Sequence, residues 1–232
     1  MNKITAVILD WAGTTVDFGS LAPVRTIQSV FGDLGIKISD EEARRDMGLA
    51  KLDHLRAIVN RLKLPVNTDE VYERFIPRQM DLLVEHSGVI PGVVSAVETM
   101  RSRGWKIGST TGYTRAMLDL VVAKAREQGY SPDCSLTPEE AGGGRPHPYM
   151  IYEAAKRLQR YPLWTFAKIG DTPADMEEGR NAGCWAVGVS ATGNSKREDL
   201  LAAGAHAVID SVANAIPTLE EIEQRLAAGE RP

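Results

Sequence analysis

The chain is short of cysteine, of positive charge and of long apolar runs. Two cysteines, Cys134 and Cys184, stand far apart in 232 residues. There is no Cys-x-x-Cys pair and no Cys/His cluster, which argues against a zinc site and against a disulfide framework. Buried free thiols in a reducing compartment are expected instead. Acidic residues outnumber basic ones by 31 to 27, for a net charge of -4. A general nucleic-acid binder needs a basic surface, so no nucleic-acid partner is expected. A small anionic substrate stays open, because a site needs only local positive charge. No apolar run approaches the ~20 residues of a membrane helix, so no membrane partner is expected. The first residues lack a basic stretch, an apolar run and a cleavage site in the order of a secretory signal. A cytoplasmic location is therefore expected. There is no internal repeat and no low-complexity tract.

What is present is ordinary globular composition, 43% hydrophobic and 25% charged, enough for one large domain or a core with a smaller insert. Residues 4–10 are an apolar run that ends abruptly in Asp10. Such a run reads as a strand buried on both faces, as in a parallel sheet. A carboxylate at its C-terminal end sits where open α/β sheets hold their ligands. On its own the segment reads equally well as a buried strand with an incidental acid.

The next seventy residues contain no strand pattern. Pro23, Val24, Ile27, Val30, Phe31 and Leu34 follow helical spacing. Ser39 to Glu42 is a capping box for a second helix. Leu55, Ile58 and Leu62 continue a third, and Asn67 to Glu70 opens a fourth, in which Pro77 predicts a kink or break. From about residue 89 the pattern changes. Strands are expected at 105–111, 132–136, 165–171, 184–189 and 205–209, separated by helices at 92–103, 115–128, 148–158, 175–182, 196–203 and 216–228. Alternating strands and helices indicate an α/β fold, a doubly wound, mainly parallel sheet. The expected organisation is a core of residues 1–19 and 89–232, with an all-helical cap domain of residues 20–88 inserted after the first strand.

Chemistry collects at the strand ends. The first ends at Asp10, the second at Thr110, Thr111, Gly112 and Tyr113, and the fourth at Asp171, with Asp175 one helical turn later. The loop after the third carries Gly142, Gly143, Gly144 and Arg145. Paired carboxylates are hard oxygen ligands suited to Mg2+, which also takes substrate phosphate oxygens. Thr111 and the Gly112 N–H could hold a phosphoryl group, and Arg145 could neutralise its charge. Each feature has an ordinary explanation: a turn, a helix-terminal acid pair favoured by the dipole, a surface arginine. Their joint occurrence in order at one sheet edge favours function.

Asp10, the hydroxyl-bearing second strand end, the basic residue before the fourth strand, and Asp171 with Asp175 resemble the four motifs of the haloacid dehalogenase superfamily. The resemblance covers most of the chain and implies a Rossmann-like core in which Asp10 is a nucleophile that forms an aspartyl-phosphate. Phosphatases and phosphomutases of that superfamily carry a second acid two positions after the nucleophile. Here that position is Ala12. An oxygen leaving group needs a proton from that acid, so phosphate-ester hydrolysis is poorly supported.

Four segments carry a narrower resemblance, to the phosphonoacetaldehyde hydrolases: residues 10–19, residues 47–54 with Met47, Lys51 and His54, residues 108–115, and residues 144–148. The match implies a Schiff base between Lys51 and the aldehyde. The electron sink that this creates lets carbon depart from phosphorus. It implies Mg2+ held by Asp10, the Ala12 carbonyl and Asp171, with Asp175 supporting the metal's waters. It implies a phosphoryl site at Thr111, Gly112 and Arg145, and places Met47, His54 and Tyr113 around the imine, with proton transfer open to His54. It also implies a homodimer paired through the cap and a small phosphonate substrate. Alone, Lys51 would read as a solvated helix lysine, and His54 as an ordinary packed or exposed histidine.

The chain departs from this family in a shorter cap after the lysine helix, a shorter core after Gly193, Ser20 where some relatives have cysteine, and a glycine-rich loop before Arg145. The other readings are a phosphatase of the same fold acting on a small ester and a non-catalytic member that binds a phosphorylated metabolite. Ala12 speaks against the former, and Lys51 against both.

Overall fold

The computed structural model describes residues 3–232, so the first two residues of the expected core segment lie outside the described residues. Strand β1 (Ala6–Leu9) is followed by four helices, α1 (Leu21–Gly32), α2 (Asp40–Arg44), α3 (Lys51–Leu62) and α4 (Thr68–Glu85). The chain then runs α5 (Val93–Ser102), β2 (Lys106–Thr110), α6 (Arg115–Glu127), β3 (Cys134–Leu136), α7 (Pro138–Ala141), α8 (Tyr149–Leu158), β4 (Phe166–Gly170), α9 (Pro173–Asn181), β5 (Trp185–Val189), α10 (Arg197–Ala202), β6 (Ala207–Ile209) and α11 (Ala215–Ala227).

The six strands pair in parallel in the order β3-β2-β1-β4-β5-β6. The chain leaves β1 for β2 on one side and returns to β4 on the other. The ends of β1, β2 and β4 therefore frame the switch point at which doubly wound sheets bind ligands. Val7 and Leu9 face one core with residues of α5, α6 and α11, while Ala6 and Ile8 face a second core under α8. This alternation is why the β1 sequence is apolar without a break.

The first core extends into the inserted helices: Val24, Phe31, Phe75 and Leu83 belong to the same apolar cluster as Val7 and Val121. The entry into the insertion is set by Asp17, whose carboxylate accepts from the Leu21 and Ala22 N–H groups at 3.0 Å each and so caps α1. The Ser39 capping box forms as expected, with Glu42 reaching back to the Ser39 N–H at 2.8 Å.

Two local expectations are corrected. Helix α4 runs through Pro77 without a break. Proline there deprives the Glu73 carbonyl of its helical donor, but Glu73 and Pro77 are both exposed, so water takes that place. A short helix, α7, stands where only a loop was expected. Its capping box, Thr137 with Glu140, and Pro138 at its first position are a start signal that the sequence does carry. Among the described residues no helix is long and apolar enough to cross a membrane.

All four tryptophans, Trp11, Trp105, Trp164 and Trp185, lie outside the inserted helices. Phe75, on α4, is fully buried. Replacing it with alanine is expected to cost about 3–5 kcal/mol and to shift the urea midpoint by tryptophan fluorescence as much as by circular dichroism. A fluorescence midpoint that stays in place would show that the insertion unfolds separately from the core.

Candidate active site

Asp10 continues β1, its N–H donating to the Ile169 carbonyl at 2.9 Å. Just beyond it the chain turns tightly, the N–H groups of Thr14, Thr15 and Val16 all pointing at the Trp11 carbonyl at 2.8–3.2 Å. Gly13 lies in this turn with φ +82°, and a Cβ there would run into the Asp171 carboxylate. Glycine is thus what lets the first and fourth strand ends come together. Oxygens of Asp10, Asp171 and Asp175 lie within 4.8 Å of one another.

Beneath Asp10 lies a buried ionic cluster. Arg145 donates from Nη2 to Asp10 Oδ1 at 2.6 Å and from Nε to Glu178 Oε2 at 3.0 Å, and its Nη2 is 3.1 Å from Asp175 Oδ1. Nη2 also donates to the Thr110 carbonyl at 2.6 Å. Lys168, on β4, adds a second buried cation, 2.8 Å from Asp175 Oδ1 and 3.3 Å from Glu178 Oε2. Asp175 is therefore held from below, and its other oxygen accepts from the Thr172 hydroxyl at 2.6 Å. Burial would raise the Asp175 carboxyl, but Arg145 and Lys168 outweigh it and hold the group below its usual value.

Asp171 has no such cation. Burial, with Asp10 and Asp175 beside it, pushes its carboxyl up to about 8. Burial also raises Asp10, against the pull of Arg145. Four carboxylates thus share two buried cations, and the deficit falls on the Asp10–Asp171 side. A hard divalent cation suits such an all-oxygen, negatively charged donor set, so these residues fit Mg2+.

The insertion closes the site from above. Lys51 is the first residue of α3, with 6% of its surface exposed. Its Nζ stands 5.1 Å from the Tyr113 ring centre. Burial lowers its ammonium to about 8, Asp10 opposing and Arg145 reinforcing the shift. Its place at a helix N-terminus also disfavours positive charge. About a tenth of such an amine is neutral at pH 7, against roughly four in ten thousand for an ordinary lysine.

Asp10, Ala12, Met47, Lys51, Thr111, Gly112, Tyr113, Arg145 and Asp171 all line one small cavity of about 20 Å³, the room needed for about one water. Asp175 and His54 do not line it. His54 sits behind Lys51, its Nε2 donating to the Ala43 carbonyl at 2.9 Å. Burial and Lys51 lower it to about 3, so it is neutral, and its buried Nδ1 has no partner. Next to the cavity, and sharing Lys51 and Gly112, an open cleft of about 410 Å³ runs between α3 and the Gly142–Gly144 loop. A larger surface cleft of about 670 Å³, lined by Tyr152, Lys156 and Arg160, lies far from any of these carboxylates.

Lys168, Glu178 and Asn194 escaped the sequence reading. Lys168 had a signal: a charge in the middle of an otherwise apolar strand must find buried partners. Glu178 had a weaker one, standing three residues after Asp175 on the same helix face. Asn194 had none, because its role depends on which loops meet.

A family model for haloacid dehalogenase-like hydrolases matches residues 4–183. The phosphonoacetaldehyde hydrolase of Bacillus cytotoxicus is 42% identical over 258 aligned positions, covering 96% of this chain and 98% of the relative. That of Bacillus cereus is 48% identical over 200 positions, covering 81% and 76%. The first alignment is longer than this chain, so the relative carries segments absent here. A solved structure described as a phosphonoacetaldehyde hydrolase-like protein from Oleispira antarctica superimposes with a TM-score of 0.94 at 35% identity, covering 99% of this chain and 96% of that one. A β-phosphoglucomutase from Clostridium difficile shares the fold, with a TM-score of 0.80 at 20% identity.

Gly112 is where the insertion touches the second strand end: a Cβ there would run into the Leu49 carbonyl. Gly112→Ala is expected to hold α3 off the core. The apparent pKa of Lys51 should then rise from about 8 toward the ordinary lysine value of about 10.4. Amine labelling of Lys51 followed by mass spectrometry across pH 7–10 reads this directly, and an unchanged profile would show that the contact yields without moving the lysine.

Proposed function

The chain belongs to the phosphonoacetaldehyde hydrolases of the haloacid dehalogenase superfamily, and from that premise we propose how its residues divide the reaction. The reaction is hydrolysis of the C–P bond of phosphonoacetaldehyde to acetaldehyde and phosphate. The observation that carries the reading is a buried lysine of low basicity facing a strand-end aspartate that lacks a neighbouring acid at Ala12.

Lys51 attacks the aldehyde as a neutral amine and, with loss of water, forms a protonated imine. Asp10 attacks phosphorus, and the C–P electron pair moves into the iminium to give an enamine. This sink replaces the proton that an acid at position 12 would give to an oxygen leaving group. The enamine is protonated at carbon and its iminium is hydrolysed, returning Lys51 and releasing acetaldehyde. A second water hydrolyses the aspartyl-phosphate to phosphate and Asp10.

Thr111, the Gly112 N–H and Arg145 hold the phosphoryl oxygens. Within Arg145, Nη1 has the least engagement, 3.4 Å from the Gly48 carbonyl, and is the donor left for substrate. Tyr113 and Met47 pack the imine, and burial first, then nearby carboxylates, keep the Tyr113 phenol protonated far above neutral pH. His54, neutral with a free Nδ1 lone pair, offers a hydrogen-bond acceptor behind Lys51, and at about 3 it is too weakly basic to keep a proton there. Asp10, the Ala12 carbonyl and Asp171 would hold Mg2+, with Asp175 behind them. The ion supplies positive charge to the transferring phosphoryl group.

We assign residues 20–88 as a mobile cap and residues 1–19 and 89–232 as the core. A cavity of about 20 Å³ beside an open cleft that shares Lys51 and Gly112 suits a cap that moves to admit the substrate. A cytoplasmic location suits the two free thiols, and the family likeness suggests pairing of two caps in a homodimer.

Borohydride added with phosphonoacetaldehyde is expected to inactivate the protein through a reduced adduct at Lys51, located by mass spectrometry. Asp10→Asn should still trap this adduct while phosphate release falls by at least a thousandfold. Lys51→Arg should give neither adduct nor product. No adduct at Lys51 together with brisk hydrolysis of a phosphate ester would favour the phosphatase reading. Trapping in the wild type should increase as pH rises through about 8, following loss of the Lys51 proton.

A further inference from the structure

One hydrogen-bonded chain joins the inserted helices to a metal carboxylate through side chains that the mechanism above does not use. Asn194 lies in the loop after β5. Its backbone N–H donates to Asp171 Oδ2 at 2.9 Å, and its Nδ2 donates to the same oxygen at 2.7 Å. Nδ2 also donates to Ser20 Oγ at 2.7 Å. Its Oδ1 accepts from Arg44 Nη1 at 2.6 Å, and that nitrogen donates to the Gly19 carbonyl at 2.7 Å. Arg44 is the last residue of α2 and so moves with the insertion.

An asparagine amide has a donor end and an acceptor end. Turned over, it would press its oxygen against the Asp171 carboxylate and its NH2 against the guanidinium. Arg44 therefore selects the orientation in which the NH2 reaches Asp171. The rest of the cradle cannot adjust: a Cβ on Gly13 or on Gly193 would run into Asp171. Thr14 occupies Oδ1 of Asp171 with a single bond at 3.0 Å, while Oδ2 takes both donors of Asn194. Asn194 is thus the partner of Asp171 whose orientation depends on another domain of the chain.

We propose that Asn194 is a positioning residue for Asp171, and that Arg44 makes its grip conditional on the cap being docked, so that Mg2+ affinity and cap closure are coupled. The proposal rests on Asp171 being a Mg2+ ligand. Coupling of this kind is reciprocal: if closure tightens Mg2+ binding, Mg2+ favours closure by the same factor. Removing an outer partner of a metal ligand typically weakens metal binding by about 10–100-fold.

The test is calorimetric titration of the full chain with Mg2+ and no substrate. Asp171→Asn should remove binding. Asn194→Ala and Arg44→Met should each weaken it by roughly tenfold, with Arg44→Met adding nothing further in the Asn194→Ala background. Arg44→Lys should restore part of the loss. Melting temperatures without Mg2+ should match the wild type, and Asn194→Ser replaces Asn194→Ala if the alanine variant fails to fold. Independently, Mg2+ should slow amide hydrogen exchange across residues 44–50 in the wild type and not in the Asn194 variant. An unchanged affinity in Arg44→Met, or losses that add in the double variant, overturns the coupling while leaving the metal site intact. Wild-type binding by Asp171→Asn overturns the metal-site reading and the coupling together.

Discussion

The structure depends on one guanidinium. Arg145 reaches from the loop after α7 to the first strand end, the second strand end and two positions of α9, and it does so while almost wholly buried. Removing one partner of such a cluster leaves an uncompensated buried charge, which is far costlier than the pair is stabilising. The arrangement is therefore all-or-none. Asp10 is aimed because Arg145 is under it, opposing the rise that burial imposes on its carboxyl, and Arg145 stays straight because Glu178 and Asp175 hold its other edge. Lys168 completes the set by giving those two acids a second cation.

Charge is placed unevenly around this point. The cations lie below the sheet edge and serve Asp175 and Glu178, while Asp171 faces Asp10 with hydroxyl and amide donors only. The same side chain types thus perform different tasks. Asp175 is neutralised by the protein, while Asp171 is left without a cation of its own among the described residues. Above them, burial and a place at a helix start bring Lys51 down to about 8. One small volume therefore holds the Asp10 carboxyl and an amine of which a useful fraction is free at neutral pH.

Much of this was legible in the residues. Apolar runs that end in acids located the sheet edge, because a strand buried on both faces can carry a polar group only where it leaves the sheet. The strand-free stretch after β1 marked the insertion. Pro77 does not end α4, because its cost depends on whether the freed carbonyl meets water, which no local pattern reports. The missed turn α7 shows the reverse, since its capping box was present but short. Lys168 was visible as a lone charge in an apolar strand. Asn194 was not: its partners come from residues 20, 44 and 171, and only the closed chain brings them to one place.

Lys51 owes its low basicity to where it is rather than to what it is. Drawn away from Tyr113, Arg145 and the buried sheet edge, the same amine would carry its proton at neutral pH as any surface lysine does. Cells contain many aldehydes, among them sugars in open-chain form and products of lipid oxidation. An amine that is mostly protonated in water and loses that proton more readily when buried reacts less with all of these outside its site. The burial that lowers its basicity thereby also limits random carbonyl modification of this lysine.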